Sequence, residues 1–160
     1  MNENARPKHS GKAMLEHTIA VFQEYGYEQL DKSTFKKRST FQLPLTILEG
    51  YANKCFITNE HVYNDIYGTP KKTHIYAYCP VKYKTGLLIE VRWQAISGTV
   101  DQKYPFIILS LERAPTKTIL ILDGKGMREE AVEWAKGRET DKHMVFSSLG
   151  EFSRWARTGL

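Results

Sequence analysis

Glu90, Arg92 and Gln94 stand at alternate positions in an otherwise apolar run, Leu87-Leu88-Ile89-Glu90-Val91-Arg92-Trp93-Gln94. Alternate residues of a strand point to opposite faces. Leu87, Ile89, Val91 and Trp93 therefore share one face, and Leu88, Glu90, Arg92 and Gln94 the other. A carboxylate, a guanidinium and a carboxamide in consecutive places on one face are costly to bury unless they meet partners or line a cleft. That cost points to a site. The same spacing also describes a half-exposed strand whose Glu90 and Arg92 are simply solvated, and the pattern alone leaves both readings open.

Other constellations carry less. Asp123-Gly124-Lys125-Gly126 follows an apolar run and precedes a helix, where anions are favoured, but it has neither P-loop nor dinucleotide spacing. A tight strand-to-helix turn accounts for it. The five histidines show no HxxxH or HxH spacing, which argues against zinc. Ser97-Gly98-Thr99 lacks the G-x-S-x-G context of a serine hydrolase. Cys55 and Cys79 are far apart, outside any CxxC or Cys/His pattern, and read as two free thiols in a reducing cytoplasm.

The elements that must position the polar strand follow from periodicity. Residues 1–10 read as a flexible lead and residues 11–160 as one domain, which this length can support without staples. The balance of 26% charged and 41% hydrophobic residues is that of a globular protein. No apolar run approaches a membrane span and the start of the chain is not signal-like, so a cytoplasmic location is expected. Ser10 is placed to cap a helix over about residues 12–25, with Leu15, Ile19, Phe22 and Tyr25 at helical spacing and Glu16 beside that stripe. Strands are expected at residues 55–58, 73–78 and 87–94, the second with His74, Tyr76 and Tyr78 on one face. A helix or strand follows Asp101. Then come a buried strand at 118–122, a helix at about 127–136, a strand at 144–146 and a final helix carrying Leu149, Phe152 and Trp155. Short turns make the first three strands an antiparallel meander, and the later alternation with helices implies parallel pairing in an α/β sandwich.

The net charge of +5 is moderate but clustered. Lys32, Lys36, Lys37 and Arg38 form one basic group, and Lys71, Lys72, Lys82 and Lys84 another. Interleaved with Tyr63, Tyr67, Tyr76, Tyr78 and Tyr83, these groups suit a phosphate backbone, although such runs are more often solvated surface.

Helical Glu16 followed by Glu90-x-Arg92-x-Gln94 resembles the PD-(D/E)XK nuclease superfamily, in particular its branch with E-x-K-x-Q on the third strand. Trp93-Gln94, then Ser97-Gly98-Thr99-Val100-Asp101-Gln102-Lys103-Tyr104-Pro105, is similar to the family run K-W-Q-x-x-x-G-S-V-D-E-K-Y-P. Ile66-Tyr67-Gly68-Thr69 before a Lys-rich strand, the Leu122-Asp123-Gly124 strand end and Glu133-Trp134 fit the same pattern. The resemblance implies a restriction-endonuclease-like three-layer sandwich with a mixed central sheet. It further implies a metal-dependent endonuclease hydrolysing duplex DNA, restriction- or homing-type, stand-alone and of phage or mobile-element character, using Mg2+ or Mn2+ and acting as a homodimer. Carried over, Glu90 becomes a metal ligand, Gln94 orients the site or bonds substrate, and Glu16 is an auxiliary ligand. Asp101 and Lys103 support the loop or touch phosphate, with Ser97 supporting beside them, and the clustered basic residues Lys71, Lys72, Lys36, Lys37 and Arg38 are expected to contact DNA together with Lys103.

Two positions depart from the family pattern. His74 stands where the strand-two acid belongs, as a catalytic and metal-binding position, and Arg92 stands for the motif lysine. A neutral imidazole supplies no negative charge and suits softer metals than magnesium. A guanidinium can steady a phosphate's charge but cannot act as a base. These departures motivate the alternative of a degraded nuclease-fold protein that binds DNA or a protein partner without cleaving.

Overall fold

The computed structural model describes residues 10–31, 50, 53–59 and 61–160. Its centre is an eleven-residue strand, Tyr83–Trp93, which pairs on both sides. In chain order the described elements are α1 (Gly11–Glu24), β1 (Glu28–Gln29), β2 (Phe56–Asn59), β3 (Val62–Asn64), β4 (Pro70–Lys72), β5 (Ile75–Cys79) and β6 (Tyr83–Trp93). A 3-10 turn (Val100–Lys103) then leads into α2 (Tyr104–Arg113), followed by β7 (Lys117–Asp123), α3 (Glu129–Lys136), β8 (His143–Phe146) and α4 (Leu149–Gly159). The main sheet runs β1-β2-β5-β6-β7-β8. β2, β5 and β6 are antiparallel neighbours, whereas β6, β7 and β8 are parallel. The expected meander and parallel half are both present.

Helices cover both faces, and the alternation of β6 decides which residues meet which helices. Leu87, Ile89 and Val91 pack with Met14, Val21 and Phe22 of α1 and Phe152 and Ala156 of α4. On the other face Leu88 packs with Tyr104, Ile107, Ile108 and Leu111 of α2 and Ala135 of α3. The result is three layers, α/β/α, with the apolar run of β7 buried on both sides. Such a run is what a parallel strand covered by helices requires. Ser10 caps α1 by accepting from the Ala13 amide at 3.2 Å, as its position predicts. After Asp101 the chain takes the helical alternative, with Pro105 in the first turn of α2, where a missing N–H is tolerated.

Three features differ from expectation. Residues 62–72 form a separate β3–β4 hairpin rather than a simple turn. The short β1 adds a parallel edge strand. Cys55 and Cys79 are not free thiols: the register Phe56↔Tyr78 places them side by side across β2 and β5, and they are joined as a disulfide. Sequence separation hid a contact that antiparallel pairing makes. The expected lead lies almost wholly outside the described residues. Among the described residues no helix is long and apolar enough to cross a membrane.

The turn after β7 is held against the end of β6. Gly124 has φ +117°, and a Cβ there would meet the Gln94 carbonyl oxygen at 2.1 Å. Gly124→Ala is therefore expected to cost about 2–4 kcal/mol, seen as a lower urea midpoint at unchanged m-value. An unchanged midpoint would show that this turn can move away from β6.

Candidate functional site

Glu90 lies on the α2-facing side of the central strand and is completely buried. β5 and β6 pair with Ile75 opposite Ile89, so one step further sets His74 opposite Glu90. His74 Nδ1 lies 3.0 Å from Glu90 Oε2. Arg92, two residues along on the same face, donates through Nη2 to the same oxygen at 3.1 Å. The other oxygen, Oε1, has the Tyr63 hydroxyl at 3.5 Å. Tyr63 belongs to β3, so the hairpin folds over the strand face and supplies part of the enclosure. About a third of each of the His74 and Arg92 side chains remains exposed, at 34% and 31%, so these two form the solvent-facing side of the group.

Lys71 of β4 adds a second fixed cation. Its Nζ is buried, finds no hydrogen-bond partner among the described residues, and lies 5.8 Å from the Tyr63 ring centre and 5.4 Å from that of Phe106. Burial holds its pKa below the usual lysine value, partly offset by the charge of Glu90. Burial alone would raise the Glu90 pKa. The His74 hydrogen bond and the charges of Arg92, His74 and Lys71 outweigh it and hold the carboxyl below its ordinary value, as nearby opposite charges do. Glu90 is thus an ionised carboxylate held by the Arg92 guanidinium and the His74 ring, with the Lys71 amine close by. Tyr63 is pushed the other way, upward, by burial and by Glu90, and stays a neutral donor.

His74 Nδ1 also lies 3.2 Å from the Val91 amide. One ring nitrogen cannot accept from that N–H and donate to Glu90 together. The carboxylate contact is charge-assisted and is the stronger of the two.

The remaining predicted residues divide clearly. Gln94 is buried and committed to architecture: its Nε2 donates to Gly126 O at 3.0 Å, and its Oε1 accepts from the Tyr104 hydroxyl at 3.1 Å. Asp101 is buried and paired with Arg128, which holds its carboxyl below the usual range. It braces the 3-10 turn against the start of α3. Ser97 and Lys103 are exposed on or beside the connecting loop, and Lys72 is exposed on the hairpin. Lys36, Lys37 and Arg38 lie outside the described residues.

Glu16 is a correction. It sits on α1, beneath the opposite face of the sheet, with its side chain 65% exposed and 3.7 Å from Lys12. It cannot share an ion with Glu90. Conversely, sequence reasoning missed Tyr63 and the burial of Lys71. The aromatic residue and the lysine were visible in the basic, Tyr-rich stretch, but nothing local showed that a hairpin would fold them over β6.

Magnesium takes oxygen ligands, commonly from one or two carboxylates, and keeps several waters. Glu90 brings one carboxylate, already facing Arg92 and His74, and among the described residues no group of three His, Cys, Asp or Glu side chains is placed to hold a metal. The described residues by themselves do not fit that ion. What they present to solvent is the Arg92 guanidinium and the His74 ring, both oriented by Glu90.

Glu90→Gln removes the shared counter-charge. We expect a loss of about 2–4 kcal/mol at pH 7, at the low end of the range for buried pairs because Arg92 and His74 are partly in water. The folded pKa is depressed, so this stabilisation is complete above the ordinary carboxylate value of about 4.3 and disappears as pH falls through the lowered one. Urea unfolding of both proteins from pH 7 to pH 3 tests this. A difference that stays constant over the series would mean that the carboxylate charge is not what matters.

A family model described as a PD-(D/E)XK nuclease superfamily domain matches residues 6–160. No curated protein and no solved structure matches the chain. With the mixed six-stranded sheet, its helices on both sides and Glu90-x-Arg92-x-Gln94 on the central strand, that match establishes that the chain belongs to the PD-(D/E)XK nuclease superfamily.

Proposed function

We propose that this chain is a DNA-binding member of its superfamily that holds a backbone phosphate on fixed cations rather than on a carboxylate-bound metal. One observation carries the reading: the buried carboxylate of Glu90 is already ion-paired with His74 and Arg92, with the Lys71 charge close by. The Arg92 guanidinium is the charged part of this group that reaches solvent, while the buried Lys71 amine lies behind it. Arg92 suits a phosphate because its planar fork matches two oxygens at once. Lys72 and Lys103 are exposed and extend the positive field beyond the site.

A metal-dependent DNA endonuclease using Mg2+ or Mn2+ is the second reading, favoured by the superfamily and by one detail. Glu90 Oε1 has the long 3.5 Å Tyr63 contact, which leaves it a lone pair for a cation. A homodimer matching the two-fold symmetry of duplex DNA belongs to either reading.

The two readings separate in one set of measurements. Supercoiled plasmid is incubated with the protein in Mg2+ and in Mn2+, and duplex binding is followed by fluorescence anisotropy across salt concentrations. The binding reading expects intact plasmid and affinity that falls steeply with salt. Arg92→Ala should weaken binding by about 1.5–3 kcal/mol and lower the salt slope by about one. Cutting that requires added metal and vanishes in a folded Glu90→Ala variant would instead establish the endonuclease.

A further inference from the structure

We propose that Tyr67, backed by Phe106, is a stacking platform for an unpaired nucleobase, so that the DNA this site takes is gapped or single-stranded rather than continuous duplex. The inference rests on the nucleic-acid reading above and adds the substrate class.

Tyr67 is 79% exposed at the tip of the β3–β4 hairpin. The backbone that carries it is held firmly. Asp65 Oδ1 accepts from the Tyr67 and Thr69 amides at 2.8 and 2.9 Å. The tip is also tied to α2: Ser110 Oγ accepts from the Ile66 amide at 3.3 Å, and Arg113 donates to the Ile66 carbonyl at 2.5 Å. The platform has a back wall as well. The Phe106 ring lies 5.7 Å from Tyr67 with planes 31° apart, close enough to fix the tyrosine ring from one side.

The same contacts lead inward. Phe106 touches Lys71, Lys71 lies over Tyr63, and Tyr63 reaches Glu90. These contacts pack the platform against the same hairpin core that encloses Glu90, with the partly exposed Arg92 as the group of that site open to a backbone phosphate. Aromatic faces accept any base, while basic side chains track the backbone, and the pairing of the two is how single strands are held. Within a continuous duplex each base already has stacking partners on both sides and offers Tyr67 no free face. Exposed Lys72 and Lys103 favour an anionic polymer here over a second copy of a chain with net charge +5.

The test compares two labelled DNAs differing only by a one-nucleotide gap, with 2-aminopurine beside the gap as a stacking reporter. The full chain is expected to bind the gapped DNA more tightly and to change the 2-aminopurine signal. Tyr67→Ala should lower gapped-DNA affinity roughly 5- to 100-fold while leaving continuous-duplex affinity unchanged, and Tyr67→Phe should restore the preference. Equal binding of both DNAs by the unsubstituted chain, or a preference indifferent to Tyr67→Ala, overturns the platform and leaves the phosphate site standing. Failure to bind either DNA at low salt overturns the nucleic-acid reading and the platform with it.

Discussion

The carboxylate of Glu90 is the only formal negative charge on the central strand, and everything near it is arranged to make its burial tolerable. Stripping an ionised carboxyl of water costs several kcal/mol even after relaxation. His74 answers from just before β5, Arg92 from β6 itself, and Lys71 and Tyr63 from the hairpin. Separate segments thus converge on one functional group. If that charge were absent, their own charges and donors would face each other with nothing between them.

This convergence explains how the superfamily scaffold accommodates His74 and Arg92. The sheet still delivers position 74 opposite position 90, and the strand still presents 90, 92 and 94 together. What has changed is the sign of the surroundings. An acid–acid pair would concentrate negative charge, whereas here the single acid is met by an imidazole, a guanidinium and a nearby lysine. Gln94 is likewise turned inward, since its amide joins the end of β6 to the loop after β7 instead of facing solvent.

Much of this was legible from residue order. The two-residue period across 87–94 assigned every β6 side chain in that run to its correct face, because one face had to satisfy α1 and α4 and the other α2 and α3. The Ser10 cap and the apolar β7 run were equally plain. Glu16 was not, since helical periodicity places a residue relative to its own apolar stripe but does not say which side of a sheet that stripe covers. β3 and β4 were hidden because three-residue strands containing Asn, Pro and Lys carry almost no propensity signal. Lys71 looked like surface charge, and its amine is buried beside Tyr63 and Phe106, which come from two other elements. The cysteines were misjudged for a related reason: separation along the chain says little once two strands lie antiparallel.

The hairpin leaves the main sheet just after Asn59 and rejoins it at Ile75, two residues that are themselves ladder partners. Its ends are consequently pinned a single interstrand spacing apart whatever lies between them. Lengthening such an excursion adds closure entropy only logarithmically, and no main-sheet hydrogen bond has to change register. Between those pins only the tip, residues 66–69, lies clear of the groups that enclose Glu90, so changes in length there leave both the main-sheet register and the buried carboxylate's partners in place.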